Sequence, residues 1–376
     1  MKKKLKFPPL FTAVFFLFCF GMSLLLLVLP KQTFSETEKR NLAAFPKFSF
    51  AALADGSFTR DFETFLSDQT PLRRFFVSLN AYADLALGNN GGNGVYRGRD
   101  GWLLEKPFAR DNHFADNTGR IVRFAQKTTV PCAVMLVPTK GSVYTDKLPK
   151  NHLRYDDFKT IEAAQTACEK SGLRFVNIGE RFLAEKDRTA LYYKTDHHWT
   201  SAGAYLAYAA LGEALGYEPT AADAYSVEKT PNFYGTSYAR SGYTLTKPDS
   251  LEVWRSKQTG GRAVVTIVEN GKETKADNLF FADRLNTGDP YTVFLDGNHA
   301  LETIETGADG GRLLVIKDSF AHCLVPFLAE HFSEIVTVDL RYYKKPVTAL
   351  MSETAFDQVL FVYGADTFAE NKIILR

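Results

Sequence analysis

Four short runs in the last quarter of the chain have apolar centres rich in valine, leucine and isoleucine. They are "YTVFLDGN" (291–298), "RLLVIKDSF" (312–320), "IVTVDLR" (335–341) and "QVLFVYG" (358–364), spaced by helix-length stretches. A strand wetted on one face alternates apolar with polar residues, so unbroken runs mark strands covered on both faces. Two earlier runs, "PCAVMLVPTK" (131–140) and "LRFVNIG" (173–179), flank a helical pattern at 155–172. The sequence therefore predicts an α/β layered fold with a mainly parallel sheet. "TSAGAYLAYAALGEALG" (200–216) reads as a helix, with Thr200 or Ser201 at its N-cap and glycine at its stop. The stretch 222–290 is polar and turn-rich. It holds a hairpin pattern, 263–281, around Asn270-Gly271, and is read as an inserted lobe or lid.

The other end of the chain is of a different kind. Lys2, Lys3, Lys4 and Lys6 precede "LFTAVFFLFCFGMSLLLLVL", Leu10 to Leu29, which carries no charge. That run has the length of a bilayer-spanning helix, roughly 20 residues. The lysines place its N-terminus in the cytoplasm by the positive-inside rule. No small-x-small site follows it, only "PKQTFSETEKR", which favours an uncleaved anchor over a signal peptide. Residues from about 31 onward are thus expected outside the cytoplasm. Between 58 and 87 apolar positions recur at helical spacing, broken near Pro71, and a Gly/Asn-rich stretch then leads into a hairpin around Gly98–Gly101. The expected organisation is a tip and anchor (1–30), a helical segment (31–90) and an α/β domain (91–376) that contains the lobe.

With 45 basic and 43 acidic residues, and four of the former ahead of the anchor, the remainder is nearly neutral. No basic stripe with interleaved aromatics is present, so no nucleic-acid partner is expected. Cys19 lies in the apolar run. Cys132, Cys168 and Cys323 are odd in number and widely spaced, which suits free buried thiols better than disulfides or zinc.

The densest chemistry is "KTDHHWTSAG", because the chain has only seven histidines and two of them are neighbours here. Adjacent histidines point apart on a strand or a helix, and no HExxH or CxxC accompanies them, so neither a metal nor a cofactor is expected. In an extended segment Asp196 and His198 face the same way and His197 the other. A carboxylate beside an imidazole can fix its tautomer and stabilise the imidazolium. The plainer reading is that Asp196 caps the following helix. The balance shifts with Ser319 in "RLLVIKDSFAHCLVPF", at a strand-to-helix junction of the kind that exposes nucleophilic serines. Ser237 in "FYGTSYARSGY" competes, but no apolar strand feeds it. The Gly297-Asn298 turn, at the end of an expected strand, is a candidate for oxyanion contacts. His299 and His322 read as bystanders.

Together these motifs resemble the bacterial DHHW protein family. That family is related to the alginate O-acetyltransferases, AlgJ- and AlgX-like, of the SGNH-hydrolase-like superfamily. "DHHWTSAGAY", "KDSFA" and "VDLRYY" carry the resemblance, with "ETEKRNLAAFPKFS", "GVYRGRDGWLL", "VPTKGSVYTDKLP" and "YTVFLDGN" in support. It implies an SGNH-like three-layer α/β/α fold and a catalytic set of Asp196, His198 and Ser319. Oxyanion or substrate contacts would come from the Ser319 backbone, Gly297, Asn298 and Trp199. One departure stands out: the alginate enzymes carry their serine in a Gly-Thr-Ser-Tyr run, which here surrounds Ser237. The implied activity is acetyl transfer to an extracellular polysaccharide, with a membrane-bound O-acyltransferase as the partner that delivers acetyl groups. A carbohydrate acetylesterase, or a polysaccharide-binding scaffold using Trp199, Tyr234 and Tyr238, are the alternatives.

Overall fold

In a computed structural model of the chain, residues 9–375 are described, apart from 36, 110, 111 and 270. The four N-terminal lysines and the Asn270 turn position lie outside the described residues. Two compact units emerge: residues 1–88 with 242–244, and residues 89–241 with 245–376.

The first unit begins with a helix, Pro9–Val28, whose residues 10–28 are long and apolar enough to cross a bilayer. A two-stranded ladder, Phe34–Ser35 with Arg40–Asn41, follows, and then helices Ser57–Gln69 and Arg73–Ala86. The break between these helices falls where Pro71 predicts it. Arg40 locks the ladder to the first of them, its Nη1 and Nη2 donating to Asp68 at 2.9 and 2.5 Å.

In the second unit the apolar runs become one eight-stranded sheet. Numbered in chain order, its strands are β1 (Cys132–Val137), β2 (Arg174–Phe175), β3 (Arg262–Glu269), β4 (Lys272–Asn278), β5 (Leu301–Glu305), β6 (Arg312–Lys317), β7 (Glu334–Val338) and β8 (Gln358–Gly364). The spatial order is β4-β3-β5-β7-β6-β8-β1-β2. Strands from β7 to β2 pair in parallel, and β5, β3 and β4 extend the sheet antiparallel. Residues 222–290 thus contribute two sheet strands, besides a separate hairpin of Tyr225–Phe233 with Asp249–Ser256.

Both faces of the sheet are covered, which is why the runs are unbroken. In β6, Leu313 and Val315 join one apolar cluster with helices Ser201–Leu215 and Phe320–Leu328. Leu314 and Ile316 join another with helices Phe114–Ala125 and Asp157–Glu169. That is a three-layer α/β/α arrangement. Helix Ser201–Leu215 has Thr200 at its N-cap, accepting the Gly203 N–H at 3.1 Å, and Gly216 in the left-handed conformation at its end.

One expected strand does not form. Residues 291–298 instead make a 3₁₀ turn, Pro290–Val293, followed by Leu295, Asp296 and Gly297 at φ 55, 59 and 94°. The apolar side chains of Tyr291, Val293, Phe294 and Leu295 are still buried, in the core rather than in a ladder. The strand that pairs with β7 begins after the turn, at Leu301.

Candidate active site

Ser319 follows β6, at the N-cap of helix Phe320–Leu328. From Leu313 to Ala329 every residue is buried except Ser319, so the junction delivers one hydroxyl to a surface and hides everything around it. Asp318 fixes the junction. Its Oδ1 accepts the Phe320 N–H at 2.9 Å and its Oδ2 accepts the Gly364 N–H at 2.8 Å, tying the serine's helix to β8. Burial pushes the Asp318 carboxyl above its ordinary range, and the Arg341 guanidinium offsets part of that.

His198 Nε2 lies 2.8 Å from Ser319 Oγ, and His198 Nδ1 lies 2.6 Å from Asp196 Oδ1. With Nδ1–H donating to the carboxylate, Nε2 is left to accept from the serine hydroxyl. The same Oδ1 also takes the His198 backbone N–H at 2.8 Å. Asp196 Oδ2 accepts from the backbone N–H and hydroxyl of Thr236 at 2.7 and 3.1 Å. Asp196 is fully buried and His198 is 5% exposed. A carboxylate–imidazole–hydroxyl chain of this kind can generate an alkoxide-like nucleophile without leaving a buried charge unpaired.

The three residues singled out from the sequence therefore meet, though not by the expected route. Residues 194–198 bend, between bridge partners Tyr192 and Trp199, and the alternation of an extended strand does not apply. For that reason His197 does not face away. Its ring centroid is 3.8 Å from that of His198, and its Nδ1 is 2.5 Å from Thr236 Oγ1. Burial and the neighbouring His198 push the His197 imidazole below its ordinary value. Nearby Asp366 is pushed by burial up to about 6, with His197 pulling the other way.

Trp199, expected at a substrate surface, is fully buried, and its indole N–H donates to the Phe320 carbonyl at 3.1 Å. It braces the serine's helix. The Gly297 N–H, expected to face a reacting oxygen, donates to the Phe294 carbonyl at 3.2 Å within its own turn. Glycine is needed at 297 because φ is positive and a Cβ would press on Thr292 Cγ2 at 2.9 Å. Asn298 is exposed, and its Oδ1 accepts from Arg341 Nη2 at 3.1 Å, which leaves the amide N–H₂ as its donor end. Among the described residues the Ser319 N–H has no acceptor.

Ser237 is buried and holds no histidine. Its hydroxyl donates to Glu105 and accepts from Lys140 Nζ at 3.3 Å. The Gly-Thr-Ser run around it serves the aspartate instead: Thr236 supplies two donors, and Gly235 lies where any Cβ would overlap Asp196.

Lys140, unremarked in the sequence, is the buried clamp of this loop. Its Nζ donates to the carbonyls of Asp196, Tyr193 and Lys194 at 2.6, 3.3 and 3.4 Å and lies 3.7 Å from Glu105 Oε2. Burial pushes the Glu105 carboxyl up, but Lys140 and then His197 outweigh it and hold it below its ordinary value. The available signal was positional: Lys140 comes just after the carboxyl end of β1, on the edge where such sheets build their sites. The imidazoles of His299 and His322 are engaged by other partners, His299 by Glu269 at 2.7 Å and His322 by Lys317 at 2.7 Å.

Asp196, His197 and His198 also offer ligand atoms within 4.8 Å of one another. Both carboxylate oxygens and both ring nitrogens of His198 are already taken. A cation there would have to displace those bonds.

Residues 95–281 match the family model of the SGNH hydrolase-like domain of the acetyltransferase AlgX, a span that covers Asp196 and His198 and stops before Ser319. The probable alginate O-acetylase AlgJ of Pseudomonas syringae pv. tomato is 31% identical over 189 residues, 46% of this chain and 48% of that protein. The chain thus spans about half the length of the relatives it matches. A DHHW family protein from Eubacterium siraeum superposes with a TM-score of 0.64 at 23% identity, covering 74% of this chain and 93% of the other. Bacillus cereus PatB1 with a sulfonyl adduct gives 0.62 at 23%, covering 75% and 98%. At these identities the two structures speak to the fold alone. The SGNH-like fold and the resemblance to DHHW and alginate O-acetylase proteins are borne out.

Proposed function

We propose that this SGNH hydrolase-like chain is a membrane-anchored, extracytoplasmic O-acetyltransferase that modifies a cell-surface or secreted polysaccharide through an acetyl-serine intermediate. The observation that carries this is the Asp196–His198–Ser319 hydrogen-bond chain, ending on the one accessible residue of a buried junction. In this reading His198 Nε2 takes the Ser319 proton as Oγ attacks the acetyl carbonyl. The oxyanion is met by the Ser319 N–H and the Asn298 amide. Collapse expels the donor's leaving group, which takes the proton from His198. A sugar hydroxyl, deprotonated by the same imidazole, then attacks the acetyl-serine and regenerates the enzyme. Asp196 holds the tautomer and stabilises the imidazolium.

Tyr234 and Tyr238, half-buried with rings 4.2 Å apart, flank the Gly235-Thr236 pair that supports Asp196 and suit the apolar face of a sugar. Acetyl-CoA is cytoplasmic, so an enzyme on the far side of the membrane needs its acetyl group passed across. A membrane-bound O-acyltransferase is the partner proposed for that step, and the apolar helix would hold the two side by side.

The test uses the full-length protein with an acetyl donor ester and an acceptor oligosaccharide. Acetylated sugar is expected, and Ser319→Ala should lower it by at least about 10³-fold. Free acetate without acetylated sugar would point to an esterase, and unchanged activity in Ser319→Ala would sink this nucleophile.

A further inference from the structure

We propose that Tyr291 is a positioning residue for His198: it lies face to face on the imidazole and stabilises the imidazolium formed when Ser319 gives up its proton. The inference rests on His198 being the general base. The two rings are parallel, 4.0 Å between centroids and 6° between planes.

Two hydrogen bonds hold the imidazole at Nδ1 and Nε2, on a line through the ring. They set its direction but leave it free to rock about that line. A flat ring against one face removes this freedom, and Phe320, 5.2 Å away at 62°, contributes an edge contact. The face of an aromatic ring is negative, so the contact strengthens when the imidazole becomes a cation in a dry site. The charged and titratable groups packed around the stacked His198–Tyr291 pair include Asp196, His197 and Tyr193 on the histidine's own loop, Asp318 beside Ser319, and His322 and Cys323 on the serine's helix.

One further observation assigns the work to the ring rather than to the phenol. Tyr291 is 3% exposed, and its hydroxyl is buried without a hydrogen-bond partner among the described residues. An unpaired buried hydroxyl is unfavourable, so it is tolerated rather than used. The chain also accepts left-handed Leu295 and Asp296 just beyond this position. Non-glycine residues persist there only when their surroundings hold them. The Phe281 and Leu295 N–H groups, bonded to the Val293 and Leu279 carbonyls at 2.8 and 3.0 Å, do the holding.

The experiment compares full-length wild type with Tyr291→Phe, Tyr291→Met and Tyr291→Leu. The readout is the rate at which a sulfonyl fluoride labels Ser319, followed by mass spectrometry from pH 5 to 9. Labelling needs only the His198–Ser319 pair, so it stays informative if acetyl transfer to a sugar is never seen; that outcome would count against the function and not against this inference. Tyr291→Phe should match wild type within about twofold. The Met and Leu variants, with apolar bulk but no π face, should label on the order of ten-fold more slowly. Their acid limb should move to lower pH, because a less stabilised imidazolium loses its proton more easily. Loss of rate in Tyr291→Phe equal to that in Tyr291→Met would overturn the proposal. So would an acid limb that stays in place, or a Ser319 that does not label in wild type. If the Met and Leu variants fail to fold, the Phe comparison still decides whether ring or hydroxyl matters.

Discussion

Both oxygens of Asp196 are engaged: Oδ1 by the backbone N–H and Nδ1–H of His198, Oδ2 by the backbone N–H and hydroxyl of Thr236. The carboxylate can therefore stay ionised in a fully buried place. This support depends on Gly235 having no side chain, because a Cβ would overlap both the backbone and the carboxylate of Asp196. Gly235→Ala should lower kcat by about 10²-fold, the usual consequence of displacing a catalytic group by around 1 Å, while the fold survives. Acetate release measured beside circular dichroism checks this, and unchanged kcat would show that the loop can give way. From sequence, the Gly-Thr-Ser run looked like a rival nucleophile. Its actual role was illegible because Thr236 is 40 positions from Asp196 and nothing local announces that they meet.

The strands show why some elements were legible and one was not. β1, β6, β7 and β8 appear where continuous apolar runs predicted them, since burial on two faces leaves its mark on every residue. The run 291–298 carries the same composition because its side chains are also buried, yet its backbone turns. Composition reports burial, not hydrogen-bond pattern, and here the tertiary contacts of Tyr291 and Phe294 chose the turn. Element ends matter as much as their interiors. Lys140, just past β1, binds three carbonyls of the Asp196 loop and stands beside Glu105. Lys140→Met should destabilise the protein by roughly 3–5 kcal/mol, the usual effect of orphaning a buried carboxylate, and Lys140→Met/Glu105→Gln should recover part of it. Thermal unfolding of both variants measures this. A double variant no better than the single one would mean that the carbonyl contacts, rather than the ion pair, carry the energy.

At the level of the full chain, an α/β unit comes after an apolar helix, Pro9–Val28. The lysines ahead of that helix underlie the proposed orientation, with residues beyond 31 outside the cytoplasm. The intact protein should stay with membranes through alkaline carbonate washing, and a C-terminal alkaline phosphatase fusion should be active. Release by carbonate, or an inactive fusion whose β-galactosidase counterpart is active, would refute the anchor or its direction respectively.

Properties written into neighbouring residues could be read off the chain directly: which runs are buried on two faces, where helices start and stop, and that a serine at a strand-to-helix junction and an Asp-x-His pair are reactive types. The packing alone settled which of these types meet. It joined His198 to a serine 121 positions away, brought His197 back beside its neighbour, gave Ser237 to Lys140 and Glu105, and buried Trp199. The reason is physical: periodicity and propensity act over a few residues, whereas a hydrogen bond between distant side chains exists only once the sheet has brought their elements together.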